Sequence, residues 1–135
     1  MGCMPDPDSP VILVADSETT TLKNVSSILR KAGFTVLTAH GAPAVLDFCT
    51  RHREPVDLAI VDTAIPGNAP EVVERLYASY PDIRILFTSA QDDPAVVCQL
   101  TRPGRVRAVL QKPFRRSQLL GRVLEVLDTP IARTA

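Results

Sequence analysis

The chain has 135 residues, with 15 Lys+Arg against 15 Asp+Glu, so its formal charge is zero. That length is one domain, and a neutral chain lacks the positive excess with which a sequence-independent nucleic-acid binder displaces counterions. Apolar residues at 45% are too many for a disordered chain, and aromatics at 4% without Trp are too few for a platform that stacks bases or flavins.

Residues 1–9 are rich in Pro and Asp and have no apolar stretch, so they read as a disordered leader and not a signal peptide. Asp6 stands where an N-terminal acylation signal wants Ser or Thr. Val11–Ala15 (VILVA) reads as a first strand without polar alternation, hence buried on both faces. Leu22, Val25, Ile28 and Leu29 then form a helical stripe that Gly33 is placed to stop. Phe34–Thr38 (FTVLT) is a second strand, and Ala42–His52 a second helix with Val45, Leu46 and Phe48–Cys49 on one side. Leu58–Val61 (LAIV) is a third strand of the doubly buried kind, and Val72, Val73 and Leu76 mark a third helix that ends before Pro81.

Ile83–Phe87 is the fourth strand. Asp93-Pro94 pairs an N-cap with Pro at the first helical position, opening a fourth helix through Val96, Val97 and Leu100 that closes by Pro103-Gly104. Val106–Leu110 (VRAVL) is the fifth strand, and Arg84 and Arg107 in the last two strands need solvent or a partner. Leu119, Leu120, Val123, Leu124 and Leu127 give the final helix, and residues 129–135 a flexible tail. Five βα units over residues 10–128 imply a doubly wound α/β sandwich around a parallel sheet. No apolar run approaches a membrane span. Cys3, Cys49 and Cys98 are neither a disulfide framework nor a metal knuckle, which fits a reducing, cytoplasmic setting. His40 and His52 have no acidic or Cys partner in sequence and read as surface residues.

In open α/β sheets the working crevice lies beyond the carboxyl ends of the strands. Asp16-Ser17-Glu18 follows the first strand, Asp62 the third, Thr88-Ser89 the fourth and Gln111-Lys112-Pro113 the fifth. If strands one and three are neighbours, Asp16 and Asp62 share one rim, with Ser89 and Lys112 beside them. Two carboxylates, a hydroxyl and an ammonium suit phosphoryl transfer to a carboxylate. Asp62 is placed to attack phosphorus and form an acyl phosphate, a divalent cation and Lys112 to neutralise the incoming charge, and Ser89 to hydrogen-bond a phosphoryl oxygen. Mg²⁺ suits such a site because it takes few carboxylates and keeps waters as its other ligands.

The segments ILVADSE (12–18), DLAIVDTAIPG (57–67), ILFTSA (85–90) and LQKPF (110–114) fall in that order, each at a strand end. Together they resemble the receiver domain of two-component response regulators over roughly residues 11–128; the last two resemble receivers attached to hybrid histidine kinases. The resemblance implies a flavodoxin-like fold with strand order 2-1-3-4-5. Asp62 then looks like the phosphoacceptor, Asp16 like one member of the acidic pair, Ser89 like the switch hydroxyl and Lys112 like the family lysine, with Lys112–Pro113 commonly cis. The Ala64 backbone carbonyl would complete a Mg²⁺ site with Asp16 and Asp62. The resemblance also implies a histidine kinase or phosphotransfer protein as phosphodonor partner.

Three positions depart from the family pattern. Ser17 replaces the second acid, the direct metal ligand, so metal affinity should drop. Val109 replaces the switch aromatic, and valine has one stiff χ1 and no ring to bury. Ala64 is small where many members carry a polar side chain. A degenerate receiver working as a phosphorylation-independent interaction module is therefore the alternative. From Pro94 to Leu124 there is no acid, while seven basic residues fall there, a candidate docking face for a downstream protein and too modest a charge for DNA. A flavin-binding reading of Ser17–Thr21 fails for want of Gly, and a phosphatase reading of Asp62-Thr63-Ala64 for want of a second carboxylate.

Overall fold

A computed structural model of the chain describes residues 9–65, 69–90, 100–101, 105 and 108–129. In chain order the elements are β1 (Val11–Asp16), α1 (Thr19–Lys31), β2 (Thr35–His40), α2 (Ala42–Arg51), β3 (Leu58–Asp62), α3 (Ala69–Ser79), β4 (Arg84–Ser89), β5 (Ala108–Gln111) and α4 (Arg116–Asp128). Most of the predicted leader, the Asp93–Val97 start of the predicted fourth helix, its Pro103-Gly104 stop, Val106–Arg107, Cys3, Cys98 and residues 130–135 lie outside the described residues.

The strands form one parallel sheet in the order β2-β1-β3-β4-β5. Strand parity divides its side chains between two cores. Leu13, Ala15, Ala59, Val61, Ile85 and Phe87 meet α2 and α3 on one face, whereas Ile12, Val14, Leu58, Ile60 and Leu86 meet α1 and α4 on the other. This explains the unbroken apolar runs at β1 and β3: both strands are covered on both sides.

All five strands run at least one residue past the carboxyl ends of their apolar segments. β4 extends through Thr88 and Ser89 because Asp62 pairs with Thr88 and Ser89 with Gln111. The ladder, not hydrophobicity, sets that end. β2 starts at Thr35 and not at Phe34, because Phe34 closes α1. The Phe34 N–H donates to Leu29 O and the Gly33 N–H to Arg30 O, the double bond of a Schellman stop. Gly33 sits at φ 100. Gly33→Ala should cost about 1–2 kcal/mol by forcing a Cβ into the left-handed region, read as a lower urea midpoint with an unchanged slope.

One histidine differs from expectation. His40 is exposed. His52 is half-buried and stacks on Phe48 with ring centroids 4.7 Å apart, while its carbonyl accepts the Tyr80 hydroxyl at 2.7 Å. The aromatic at position 48 recruits the ring one helical turn on, a pairing of neither metal-ligand nor ion-pair type. Cys49 is buried, as its apolar neighbours suggest, and burial pushes its thiol pKa up. Arg84 finds its partner at the chain's far end, where its Nε donates to Thr129 O at 3.0 Å. No helix among the described residues is long and apolar enough to cross a membrane.

Candidate functional site

The sheet order makes β1 and β3 neighbours, and both end on an aspartate. Asp16 is 2% and Asp62 5% exposed, so both carboxyl groups are withdrawn from water and need partners. Each finds two. Asp16 Oδ1 accepts the Glu18 N–H at 2.9 Å, and Asp62 Oδ1 accepts the Ala64 N–H at 3.0 Å. These are Asx turns, which fix the carboxylates at the strand ends through the chain's own backbone.

The second oxygens share one ammonium. Lys112 Nζ lies 2.9 Å from Asp16 Oδ2 and 3.2 Å from Asp62 Oδ2. The lysine follows β5, two strands away from β3, and reaches back across β4. Its backbone is tied there, since the Lys112 N–H donates to Ser89 O at 2.8 Å. The peptide bond from Lys112 to Pro113 is cis. Burial works to lower the pKa of Lys112, but the hydrogen bond to Asp16 and the charges of both aspartates outweigh it and hold the ammonium above its ordinary value.

Ser89 ends β4, one position beyond Thr88, the register partner of Asp62, and both hydroxyl residues are buried. The Thr63 N–H donates to Thr88 O at 2.9 Å, which clamps the turn after Asp62 to the neighbouring strand. Asp16, Asp62, Ser89 and Lys112, separated by up to 96 positions in sequence, thus converge on one end of the sheet. Asp16 divides its two oxygens, one accepting the Glu18 N–H and the other facing Lys112. The bridging of both aspartates by a single lysine is the feature that no motif signals.

The departures have structural form. Ser17 is half-buried directly after β1. Glu18 does not stand in for the missing acid: it is exposed, and its Oε2 accepts the Thr21 hydroxyl at 3.4 Å. Among the described residues no three His, Cys, Asp or Glu side chains cluster as metal ligands. Two carboxylates still satisfy a hard cation such as Mg²⁺, which takes one or two and retains waters. Val109 is half-buried in β5 and packs against the α2–α3 core. Of the basic residues between 94 and 124, Arg105, Lys112, Arg115, Arg116 and Arg122 are described; Arg102 and Arg107 lie outside the described residues. Arg105 is engaged internally, with its guanidinium 5.0 Å from the Tyr77 ring centroid and its Nη1 donating to Ile83 O.

Known proteins resemble this chain in sequence and fold. The family described as the response regulator receiver domain matches residues 12–124. Two-component response regulator ARR12 of Arabidopsis thaliana is 28% identical over 108 residues, covering 80% of this chain and 18% of that protein. The chain thus spans less than a fifth of this relative. A response regulator from Thermotoga maritima superposes with a TM-score of 0.76 at 27% identity, covering 90% of this chain and 99% of that one. Chemotaxis response regulator CheY4 of Vibrio cholerae has the same fold at 24% identity and a TM-score of 0.75, covering 87% of this chain and 98% of that one. The order of the strands, the paired aspartates at their ends and the family match agree, and the chain belongs to the response regulator receiver domain family.

Proposed function

We propose that residues 10–128 act as a phosphoacceptor module, receiving a phosphoryl group on Asp62 from the phosphohistidine of a kinase or phosphotransfer protein. The observation that carries this reading is the convergence of Asp16, Asp62 and Lys112 at one end of the sheet. An Asp62 carboxylate oxygen forms the new O–P bond. The P–N bond of the donor breaks, and its electron pair returns to the imidazole nitrogen. Lys112, fixed beside Asp62, supplies permanent positive charge where the phosphoryl oxygens arrive, and Ser89 is the hydroxyl assigned to them.

Asp16 and Asp62, with the Ala64 carbonyl and more weakly Ser17, are the residues that would hold Mg²⁺. When bound, that ion supplies further neutralisation of phosphoryl charge. Asp16 has a second task without it: it holds Lys112 at the rim. Output passes to another protein through the altered surface, with the basic residues of 94–124 as the docking face, in a cytoplasmic setting. The test is incubation with acetyl phosphate and Mg²⁺ followed by intact mass measurement, with gain of one phosphoryl group expected. No adduct at saturating metal overturns the reading.

The second reading, a receiver that works without phosphorylation, is favoured by Ser17 and by the double engagement of Lys112. Metal titration separates the two. Binding of Mn²⁺ at millimolar levels supports the first reading, and its absence the second. In either case Ser17→Asp should raise Mn²⁺ affinity about tenfold or more, since each added anionic oxygen ligand strengthens a hard-cation site.

A further inference from the structure

A groove of about 520 Å³ runs between α1 and the β2 edge, away from the aspartates. Its lining carries three cations, Lys23, Arg30 and Lys31, and no carboxylate, in a chain whose formal charge is zero. Other grooves on the molecule are mixed: the one on the opposite flank of α1 includes Glu18 beside Lys112, and the one between α2 and α3 sets Asp47, Glu71 and Glu74 around Arg75. The three cations form no ion pair with a described residue. Positive sign thus sets this groove apart from those two.

One detail makes it more than a solvated basic flank. Arg30 is anchored, with Nη2 donating to Val36 O at 3.1 Å, which holds the guanidinium at the groove wall with N–H groups to spare for a forked contact to an oxyanion. Ser26 also lines the groove; it is 3% exposed and its Oγ has no hydrogen-bond partner. Thr19 and Thr38 line the groove as well.

We propose that this groove binds a small anion carrying two or more phosphoryl groups. The spacing sets the number. Lys23 and Arg30 are two turns apart, about 10 Å along the helix axis. One phosphate engages one end; a chain of phosphoryl groups spans both. The volume falls within the ~300–1,000 Å³ usual for small-ligand sites. This site is independent of phosphoryl transfer at Asp62 and stands or falls separately.

The probe is inorganic tripolyphosphate, titrated into the full chain at fixed ionic strength and followed by amide chemical shifts, with orthophosphate as comparison. Tripolyphosphate should shift residues 19–31 and Thr38 and bind at least tenfold more tightly than orthophosphate. Lys23→Ala and Arg30→Ala should each weaken it several-fold, while Asp62→Asn leaves it unchanged. Arg30→Lys retains the charge without the fork, and intermediate affinity is expected of it even if Arg30→Ala loosens the β2 edge. Equal affinity for the two anions, shifts centred on Asp62 and Lys112, or indifference to Lys23→Ala and Arg30→Lys overturns the proposal.

Discussion

Asp62→Asn should leave no phosphoryl adduct after acetyl phosphate treatment, while Asp16→Asn should leave a reduced one. The distinction isolates the nucleophile from its neighbour. Asparagine keeps the shape of aspartate and one acceptor oxygen, enough for either the Ala64 N–H or the Lys112 ammonium, which Asp62 now serves together. It carries no anionic oxygen to attack phosphorus. The fold survives because Lys112 remains bonded to Asp16 at 2.9 Å and the β3 ladder does not involve the side chain. In Asp16→Asn the nucleophile persists, but Lys112 loses its shorter contact and the cation site loses one of two carboxylates. Intact mass on both variants, with native-like circular dichroism, is the measurement. An adduct of undiminished yield on Asp62→Asn would place the acceptor elsewhere.

How far the residues announce all this depends on what each signal is made of. β1 and β3 were legible because a strand covered on both faces has no room for polar alternation, and VILVA and LAIV show none. The stop at Gly33 was legible because only glycine sits comfortably at a positive φ there. Asp16 and Asp62 were legible as strand-end acids, but their sharing of a rim depends on β1 and β3 being adjacent, which is a fact of topology and not of local pattern. The reach of Lys112 to both is less visible still, since it follows from how β5 is placed two strands from β3. His52 carries no such signal, because its partner is neither an acid nor a Cys but the aromatic face of Phe48. The α1 groove gave no signal because Lys23, Arg30 and Lys31 look like an ordinary solvated flank until the β2 edge is set beside them.

Lys112→Met should destabilise the fold by about 3 kcal/mol at neutral pH, the lower end of the cost of removing one partner from a buried ion pair. The lower end applies because the Lys112 side chain is 15% exposed, so water reaches the site from that side. The loss arises from what remains. Two carboxylates, 2% and 5% exposed, would face each other with the Glu18 and Ala64 amides as their compensation among the described residues. Methionine fills most of the lysine stem's volume, so the effect reads charge more than packing.

The pH dependence has a definite sign. The folded-state pKa of Lys112 is raised above the ordinary 10.5, so its contribution is present in full below that value and is lost only as pH climbs through the raised one. The wild type and the variant should therefore differ across the neutral range and converge in strong alkali. Metal gives the second readout. A divalent cation that binds the folded pair of carboxylates stabilises by mass action. With the competing ammonium gone, millimolar Mg²⁺ should raise the urea midpoint of Lys112→Met more than that of the wild type. A variant as stable as the wild type in metal-free buffer would mean that the carboxylates already have another counter-charge, and that Lys112 is not what holds Asp16 and Asp62 together.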